Sequence, residues 1–275
     1  MHRKFFGPKT FIRGKCVYIG MEFSRRQQYF AEVLGTFVLV FIGAGAVVAN
    51  AVSGGSIGIL GIAIAHGLAI AAMVYAVGNV SGCHINPAIT LSFLAARKIN
   101  LRTAVSYIVS QLIGAALAGF ALFIIFPIAP NSLMFGATQL GDGVTSSIGI
   151  LIELLLTFLL AFAIFAVATD KRNQTVITGL VIGMVLSMSI IVGGTSTGAA
   201  LNPARSFGPL FGATLRELVD SVQYTGIGFD LVAVAAKYFA NHYIYWIGPV
   251  AGALLALIVY EKIFGDAHTR NRKKA

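Results

Sequence analysis

The chain has 275 residues and a formal net charge of +10, yet 57% of its residues are hydrophobic and only 11% are charged. A soluble domain carries about a quarter charged residues, so the composition excludes an ordinary soluble protein and favours a lipid bilayer. The basic residues lie almost entirely between and outside the apolar runs, which argues against nucleic acid as a partner. No nucleophile–base set, phosphate loop or zinc spacing occurs, so we expect no enzyme activity, cofactor or metal.

Six apolar stretches are long enough to cross a hydrocarbon core, which takes about 20 helical residues. They lie near residues 29–50, 56–78, 103–126, 146–168, 175–193 and 243–264. Two further apolar runs, near residues 86–96 and 202–212, are too short to span. The sequence therefore predicts six transmembrane helices and two shorter helices.

Each short run begins within one copy of a repeated motif. The first copy reads Gly-Cys-His-Ile-Asn-Pro-Ala-Ile from Gly82, and the second reads Gly-Ala-Ala-Leu-Asn-Pro-Ala-Arg from Gly198. The two Asn-Pro-Ala tripeptides are Asn86, Pro87, Ala88 and Asn202, Pro203, Ala204. Asn can cap a helix, and Pro suits the first helical position, where a missing N–H costs nothing. Each motif therefore predicts the start of a half-helix.

The two halves of the chain repeat each other. A Glu followed four residues later by a Thr occurs at Glu32 and Thr36 and again at Glu153 and Thr157. The order span, span, motif, short helix, span describes both residues 29–126 and residues 146–264. Because each repeat has three spans, the second enters the membrane from the opposite face, which is the inverted-repeat architecture. We therefore predict an all-α membrane protein with six transmembrane helices and two re-entrant half-helices.

The distribution of Lys and Arg predicts the orientation. Seventeen of the twenty lie in residues 1–28, in residues 97–102, at positions 171 and 172, and after residue 261, whereas residues 51–55 and 127–145 contain none. The positive-inside rule then predicts basic cytoplasmic tails at residues 1–28 and 265–275 and an extracellular connector at residues 127–145. In the external segment 213–242 we expect a short helix near residues 215–222 and otherwise irregular chain.

Half-helices that enter from opposite faces must bury their N-termini against each other, because polar backbone cannot face lipid. Their dipoles then point positive ends at the midplane, where Asn86 and Asn202 would present amide donors. The residues before them can run extended, with carbonyl groups facing a narrow lumen; they include Gly82, Cys83, His84, Gly198 and Ala200. Central donors with acceptors on both sides suit water, and a positive centre opposes cations and protons.

The paired Asn-Pro-Ala motifs, the second followed by Arg205, resemble the aquaporin (major intrinsic protein) family over residues 29–264. The resemblance implies a passive water channel, a homotetramer with one pore per subunit, and multi-pass insertion, most simply in the cell membrane. It also implies a selectivity filter formed by His66, Ile190, Ala199 and Arg205. Read from the residues alone, His66 could be a packed core histidine and Arg205 could extend outward to the membrane surface.

Ile190 stands where strict water channels of this family commonly carry His. The filter therefore resembles plant vacuolar members, residues 75–90 resemble some archaeal members, and we expect a wider constriction that could also pass ammonia or hydrogen peroxide. A channel for small polyols is the main alternative, although Ser206 follows Arg205 where glycerol-conducting members usually carry Asp. An ion-coupled secondary transporter and a structural junction protein are weaker alternatives.

Glu32 and Glu153 are acidic residues inside predicted spans. A lone carboxylate in a membrane suggests an ion or proton site. Because the two occur as a symmetric pair, the family resemblance implies instead that they brace the loops before the half-helices. His84 could line the inner vestibule, with or without a role in pH gating.

Overall fold

The computed structural model describes residues 9–12, 15–18, 23–127, 131–170, 175–224 and 230–264. Residues 265–275 and positions 171 and 172, which carry part of the orientation argument, lie outside the described residues. A β-hairpin, Lys9–Ile12 (β1) and Lys15–Tyr18 (β2), pairs antiparallel within the basic N-terminal segment.

The rest of the described chain is helical. In chain order the helices are Arg25–Val52 (α1), Gly58–Ser81 (α2), Pro87–Ala95 (α3), Leu101–Ile125 (α4), Ser146–Ile164 (α5), Thr178–Thr197 (α6), Pro203–Tyr224 (α7), Leu231–Phe239 (α8) and Ile244–Phe264 (α9). A 3₁₀ turn covers Asn131–Gly136, and a π turn, Phe165–Thr169, continues α5. Helices α1, α2, α4, α5, α6 and α9 are long and apolar enough to cross a membrane, which confirms the six predicted spans.

Local signals in the sequence account for several helix starts. Ser24 and Gln27 form a capping box before α1, in which each side chain accepts from the other residue's backbone N–H. Asn86 caps α3 by accepting from the N–H of Ala88, and Pro87 occupies the first helical position, as the motif predicts. Asn100 caps α4 by accepting from the N–H of Thr103.

The half-helices connect the two halves of the protein. The spans pack in the pairs α1 with α4, α2 with α6 and α5 with α9, while α3 packs against α9 and α7 against α4. Each half-helix therefore lies against the last span of the other repeat. Small residues allow the closest crossings, because the backbones of Gly119 and Gly208 leave no room for a Cβ between them.

The external segment differs from its prediction. The helix expected near residues 215–222 is present as a continuation of α7, which does not end near residue 212 but extends to Tyr224. A further helix, α8, covers much of the part expected to be irregular. The prediction ended α7 where the apolar run ends. The helix continues because residues 213–224 contain no Gly or Pro and are amphipathic, with an i,i+4 ion pair between Arg216 and Asp220 at 3.1 Å.

Candidate functional site

The loops that precede the two half-helices have the same backbone conformation. Gly82 and Gly198 end α2 and α6 with φ of 88° and 77°. The next residues, Cys83 and Ala199, and those two further on, Ile85 and Leu201, also have positive φ, between 42° and 53°. Positive φ is uncommon for residues with a Cβ, so the surrounding structure must hold both loops in place.

Glu32 supplies this support in the first repeat. Its Oε1 accepts from Ser81 Oγ at 2.6 Å and from the backbone N–H of His84 at 2.9 Å. Its Oε2 accepts from the N–H of Ile85 at 2.6 Å and from Gln111 Nε2 at 2.7 Å. The buried carboxyl group thus satisfies two loop N–H groups that face no backbone acceptor of their own.

Glu153 makes the equivalent contacts in the second repeat. It accepts from Thr197 Oγ1 at 2.7 Å and from the N–H groups of Ala200 and Leu201 at 2.9 and 2.8 Å. Both carboxyl groups are fully buried, and their oxygens face hydrogen-bond donors. Each carboxyl group thus connects the first span of its repeat to the loop before the half-helix through hydrogen bonds.

The two Asn side chains join the repeats at the centre. Asn86 Nδ2 donates to the carbonyl oxygen of Leu201 at 2.8 Å, and Asn202 Nδ2 donates to that of Ile85, also at 2.8 Å. Each Oδ1 accepts from an N–H in the first turn of its own half-helix, at Ala88 and Ala204. An amide carries two N–H donors, so one on each Asn remains after the cross-repeat bond.

Two cavities lie on opposite sides of this Asn pair. We name them the inner and the outer cavity after the predicted orientation. The inner cavity, about 650 Å³, is lined by residues of both repeats, including Gly82, Cys83, His84, Asn86, Leu160 and Ile182. The outer one, about 210 Å³, is lined by residues including His66, Thr138, Ile190, Gly194, Gly198 and Arg205. The predicted residues Ala199 and Ala200 are buried but are not among those lining either cavity.

Arg205 and His66 meet at the wall of the outer cavity. Arg205 donates through Nη1 to the carbonyl oxygen of Gly136 at 2.9 Å and lies 3.3 and 3.2 Å from His66 Nε2 through Nε and Nη2. Because Arg can only donate, His66 Nε2 accepts, and Nδ1 carries the proton that it shares with the Ile62 carbonyl oxygen at 2.9 Å. The structure therefore places both residues in contact, with Arg205 directed to the outer side of the Asn pair.

His84 is held at the wall of the inner cavity. Its Nδ1 lies 3.2 Å from Thr90 Oγ1, and its ring packs 4.4 Å from that of Phe93. Thr90 Oγ1 uses its one proton to donate to the Asn86 carbonyl oxygen, and it accepts from Gln111 Nε2. In its contact with His84 it can therefore only accept, so His84 Nδ1 carries a proton and donates.

A series of side-chain hydrogen bonds beside Arg205 was not predicted from the sequence. Thr138 Oγ1 donates to Ser206 Oγ at 3.0 Å, and Ser206 Oγ lies 3.1 Å from His242 Nδ1. His242 Nε2 accepts from Trp246 Nε1 at 3.0 Å, so Nδ1 carries the proton and donates to Ser206. Burial lowers the pKa of His242 to about 4, which keeps this imidazole neutral near pH 7. The sequence offers one signal for these hydrogen bonds, which is a histidine just before the last span.

Together the fold and these loops define an integral, multi-pass membrane protein whose halves meet between two cavities. The family model described as Major intrinsic protein matches residues 21–260, and the chain belongs to that family. Aquaporin AqpM from Methanothermobacter marburgensis is 36% identical over 261 residues, covering 88% of this chain and 99% of the relative. Aquaporin TIP4-4 from Zea mays is 37% identical, covering 85% of each chain.

The solved structures agree on the fold. The X-ray structure of the aquaglyceroporin from Plasmodium falciparum aligns with a TM-score of 0.73 at 24% identity, covering 87% of this chain and 97% of that one. The expected resemblance to archaeal and plant members is confirmed by the sequence relatives. The chain is thus a membrane channel of the aquaporin family, whose members are channels and not enzymes.

Proposed function

We propose that this protein is a passive water channel that excludes protons and ions. The observation that carries the proposal is the reciprocal Asn86–Asn202 arrangement, which lies between an inner and an outer cavity. Two half-helix N-termini and two amide groups give this point a positive potential and spare donors. A water molecule can accept from these donors, whereas a cation or a proton meets repulsion.

The lining of the outer cavity supports a selectivity filter at His66, Ile190 and Arg205, and the family resemblance adds Ala199, which is buried. A buried guanidinium adds a second barrier to cations, and its bonds to His66 and Gly136 leave one hydrogen on each terminal nitrogen for a passing molecule. Ile190 contributes an apolar wall, which supports passage of ammonia or hydrogen peroxide as well as water.

Water is favoured over small polyols by the residue after Arg205. Ser206 is neutral and is engaged by Thr138 and His242, whereas the family's glycerol channels usually carry Asp there. The likeness to the aquaglyceroporin concerns the fold, and the named sequence relatives are aquaporins.

The same proposal covers topology and assembly. The Lys and Arg distribution supports cytoplasmic termini and an extracellular connector at residues 127–145. The family resemblance supports insertion in a cell membrane. The resemblance to the family supports a homotetramer with a pore in each subunit. The hydrogen bonds of Glu32 and Glu153 support a bracing role for both residues.

The test is solute discrimination in proteoliposomes measured by stopped-flow light scattering. In a sucrose gradient, vesicles with the protein should shrink faster than empty vesicles. In a glycerol gradient they should shrink as fast but re-swell no faster than empty ones. Rapid re-swelling in glycerol would instead establish a polyol channel, and shrinkage equal to that of empty vesicles would contradict an open channel.

A further inference from the structure

Gly43 lies in α1 and is buried directly against the ring of His66. A Cβ built on Gly43 would lie well under 3.0 Å from His66 Cδ2 and Nε2, and 2.8 Å from Cε1. Non-bonded carbon atoms pack at about 3.5–4.0 Å, so even one methyl group has no space here. The glycine is what allows the imidazole to lie this close to α1.

The crowded edge of the ring is also the edge that contacts Arg205. His66 Nε2 accepts from the guanidinium at 3.2 and 3.3 Å, while Nδ1 is held by the Ile62 carbonyl oxygen of its own helix. A methyl group on residue 43 would therefore occupy space next to His66 Nε2, the atom that accepts from Arg205. The ring could not keep both its present position and this hydrogen bond.

The direction of the displaced ring follows from the cavity lining. His66 and Val47, one turn after Gly43 on α1, both line the outer cavity, whereas Gly43 is not among its lining residues. The glycine therefore lies behind the imidazole as seen from the cavity. A ring pushed away from α1 moves into the cavity, because the protein interior elsewhere is close-packed.

We propose that Gly43 determines the width of the outer constriction by setting how far the His66 ring stands back from the channel. Gly43 is a positioning residue that acts through His66 and touches no permeating molecule. The inference rests on the proposed function and deepens it, because it names a residue outside the lining that controls which solutes fit. Selectivity in a pore of this kind depends on its diameter and on its lining donors and acceptors.

The experiment compares Gly43→Ala with Gly45→Ala, a matched control in the same helix. Among the described residues, an added Cβ at Gly45 would meet only the end of the flexible Leu122 side chain, at 3.3 Å. Osmotic water permeability per reconstituted protein is measured in proteoliposomes by stopped-flow light scattering. Gly43→Ala should lower it roughly threefold or more, whereas Gly45→Ala should stay within about twofold of wild type.

A double variant tests whether the effect passes through the imidazole. Gly43→Ala combined with His66→Ala has room for the added methyl group, so its water permeability should equal that of His66→Ala alone and exceed that of Gly43→Ala. This comparison also covers poor folding of the single variant, because removal of the ring should then restore insertion and flow.

The outcomes separate this inference from the proposed function. Wild-type vesicles that shrink no faster than empty ones would contradict the water channel, and the inference with it. Fast wild-type flow with equal effects of Gly43→Ala and Gly45→Ala would overturn the inference alone. The same would follow if Gly43→Ala caused its full loss in the His66→Ala background, since the glycine would then act on helix packing.

Discussion

At the scale of single residues, the molecule buries groups that are costly to remove from water and gives each several partners. Glu32 and Glu153 lie fully buried inside spans, and Arg205 is only 3% exposed. Desolvation of such groups costs several kcal/mol each unless hydrogen bonds replace the lost water. The two carboxyl groups obtain their bonds from the loops, so the strained loop conformation and the buried acids stabilise each other.

Replacement of Glu153 by Gln should destabilise the protein. Three groups donate to the Glu153 carboxyl group: the Thr197 hydroxyl and the N–H groups of Ala200 and Leu201. Gln has one carbonyl oxygen and an NH₂ group that only donates, so at least one of these three donors loses its acceptor. A buried donor without a partner costs about 1–3 kcal/mol, so the free energy of unfolding should fall by about 2 kcal/mol. Thermal unfolding in detergent checks this. Glu261→Gln, at an exposed site in α9, is the control, and equal melting temperatures for the two variants would contradict the bracing role.

The site residues that can be predicted are those that belong to local sequence motifs. Asn86 and Asn202 reveal themselves by a repeated tripeptide, and Arg205 by a charge in an apolar run. Gly136, Thr138 and His242 belong to connectors without periodicity, and their contacts with residues 205 and 206 depend on tertiary packing. The bonds between each Asn and the opposite loop were equally beyond sequence reasoning, which treated both amides as free donors.

At the scale of secondary-structure elements, hydrophobic length determines the spans and glycine determines how closely they cross. Helices α2 and α6 cross at Gly67 and Gly183. A Cβ added to either glycine would lie no more than 2.5 Å from the carbonyl oxygen of the other. Association of helices in lipid depends on such close packing, since burial of apolar surface supplies little driving force there. This contact joins a span of the first repeat to the equivalent span of the second.

Gly67→Ala should therefore lower thermal stability, whereas Gly78→Ala in the same helix should not. In the part of the chain that the structure describes, an added Cβ at Gly78 would meet only Val74 Cγ1, at 3.9 Å, and Ala is the better helix former by about 1 kcal/mol. Overpacking at Gly67 should cost about 1–3 kcal/mol. The measurement is the melting temperature of each variant in detergent. A Gly67→Ala variant as stable as Gly78→Ala would contradict this prediction and show that α2 and α6 can move apart to accept the methyl group.

The external helices are joined by a polar contact with a defined pH dependence. Lys237 Nζ donates to Glu217 at 2.7 and 2.9 Å, and Tyr238 Oη donates to the same carboxyl group at 2.5 Å. The hydrogen bond from Lys237, followed by that from Tyr238, lowers the pKa of Glu217 from its ordinary value of 4.5. A lowered pKa means that this contact stabilises the protein fully above pH 4.5 and loses its contribution as the pH falls below that value.

Glu217→Gln should thus lower the melting temperature at pH 7, and the difference from wild type should shrink at about pH 3. The effect should correspond to no more than about 1 kcal/mol, because the pair is partly exposed to solvent. Asp142→Asn, which neutralises another exposed acid, is the control. A difference that persists unchanged at low pH would mean that the carboxylate is not the source of the stabilisation.

The elements that were predicted least well are those outside the membrane. The apolar pattern located every span to within a few residues, because a run of about 20 apolar residues has one stable arrangement in lipid. It gave no information on α8, and it did not show that the helix expected near residues 215–222 is continuous with the half-helix α7. The polar faces of α7 and α8 are satisfied by Glu217, Lys237 and Asp220 on neighbouring turns and helices. Such helices depend on tertiary contacts that a single sequence does not display.

At the scale of the whole molecule, the two halves form one unit at the centre of the protein. Each Asn donates to the opposite loop, and each half-helix packs on the last span of the other repeat. Arg216 and Lys237 lie apart from the groups of basic residues on which the predicted orientation rests, and each has an acidic partner, Asp220 and Glu217 respectively.

We propose that water crosses at the Asn pair while protons do not. The most direct measurement is the temperature dependence of osmotic water permeability, recorded with proton flux in the same proteoliposomes. Water flow should have a lower activation energy than in empty vesicles, and proton flux should be no greater than in empty vesicles, because the positive centre repels protons. An activation energy equal to that of the bare bilayer, or proton flux that rises with water flow, would contradict a proton-excluding water channel.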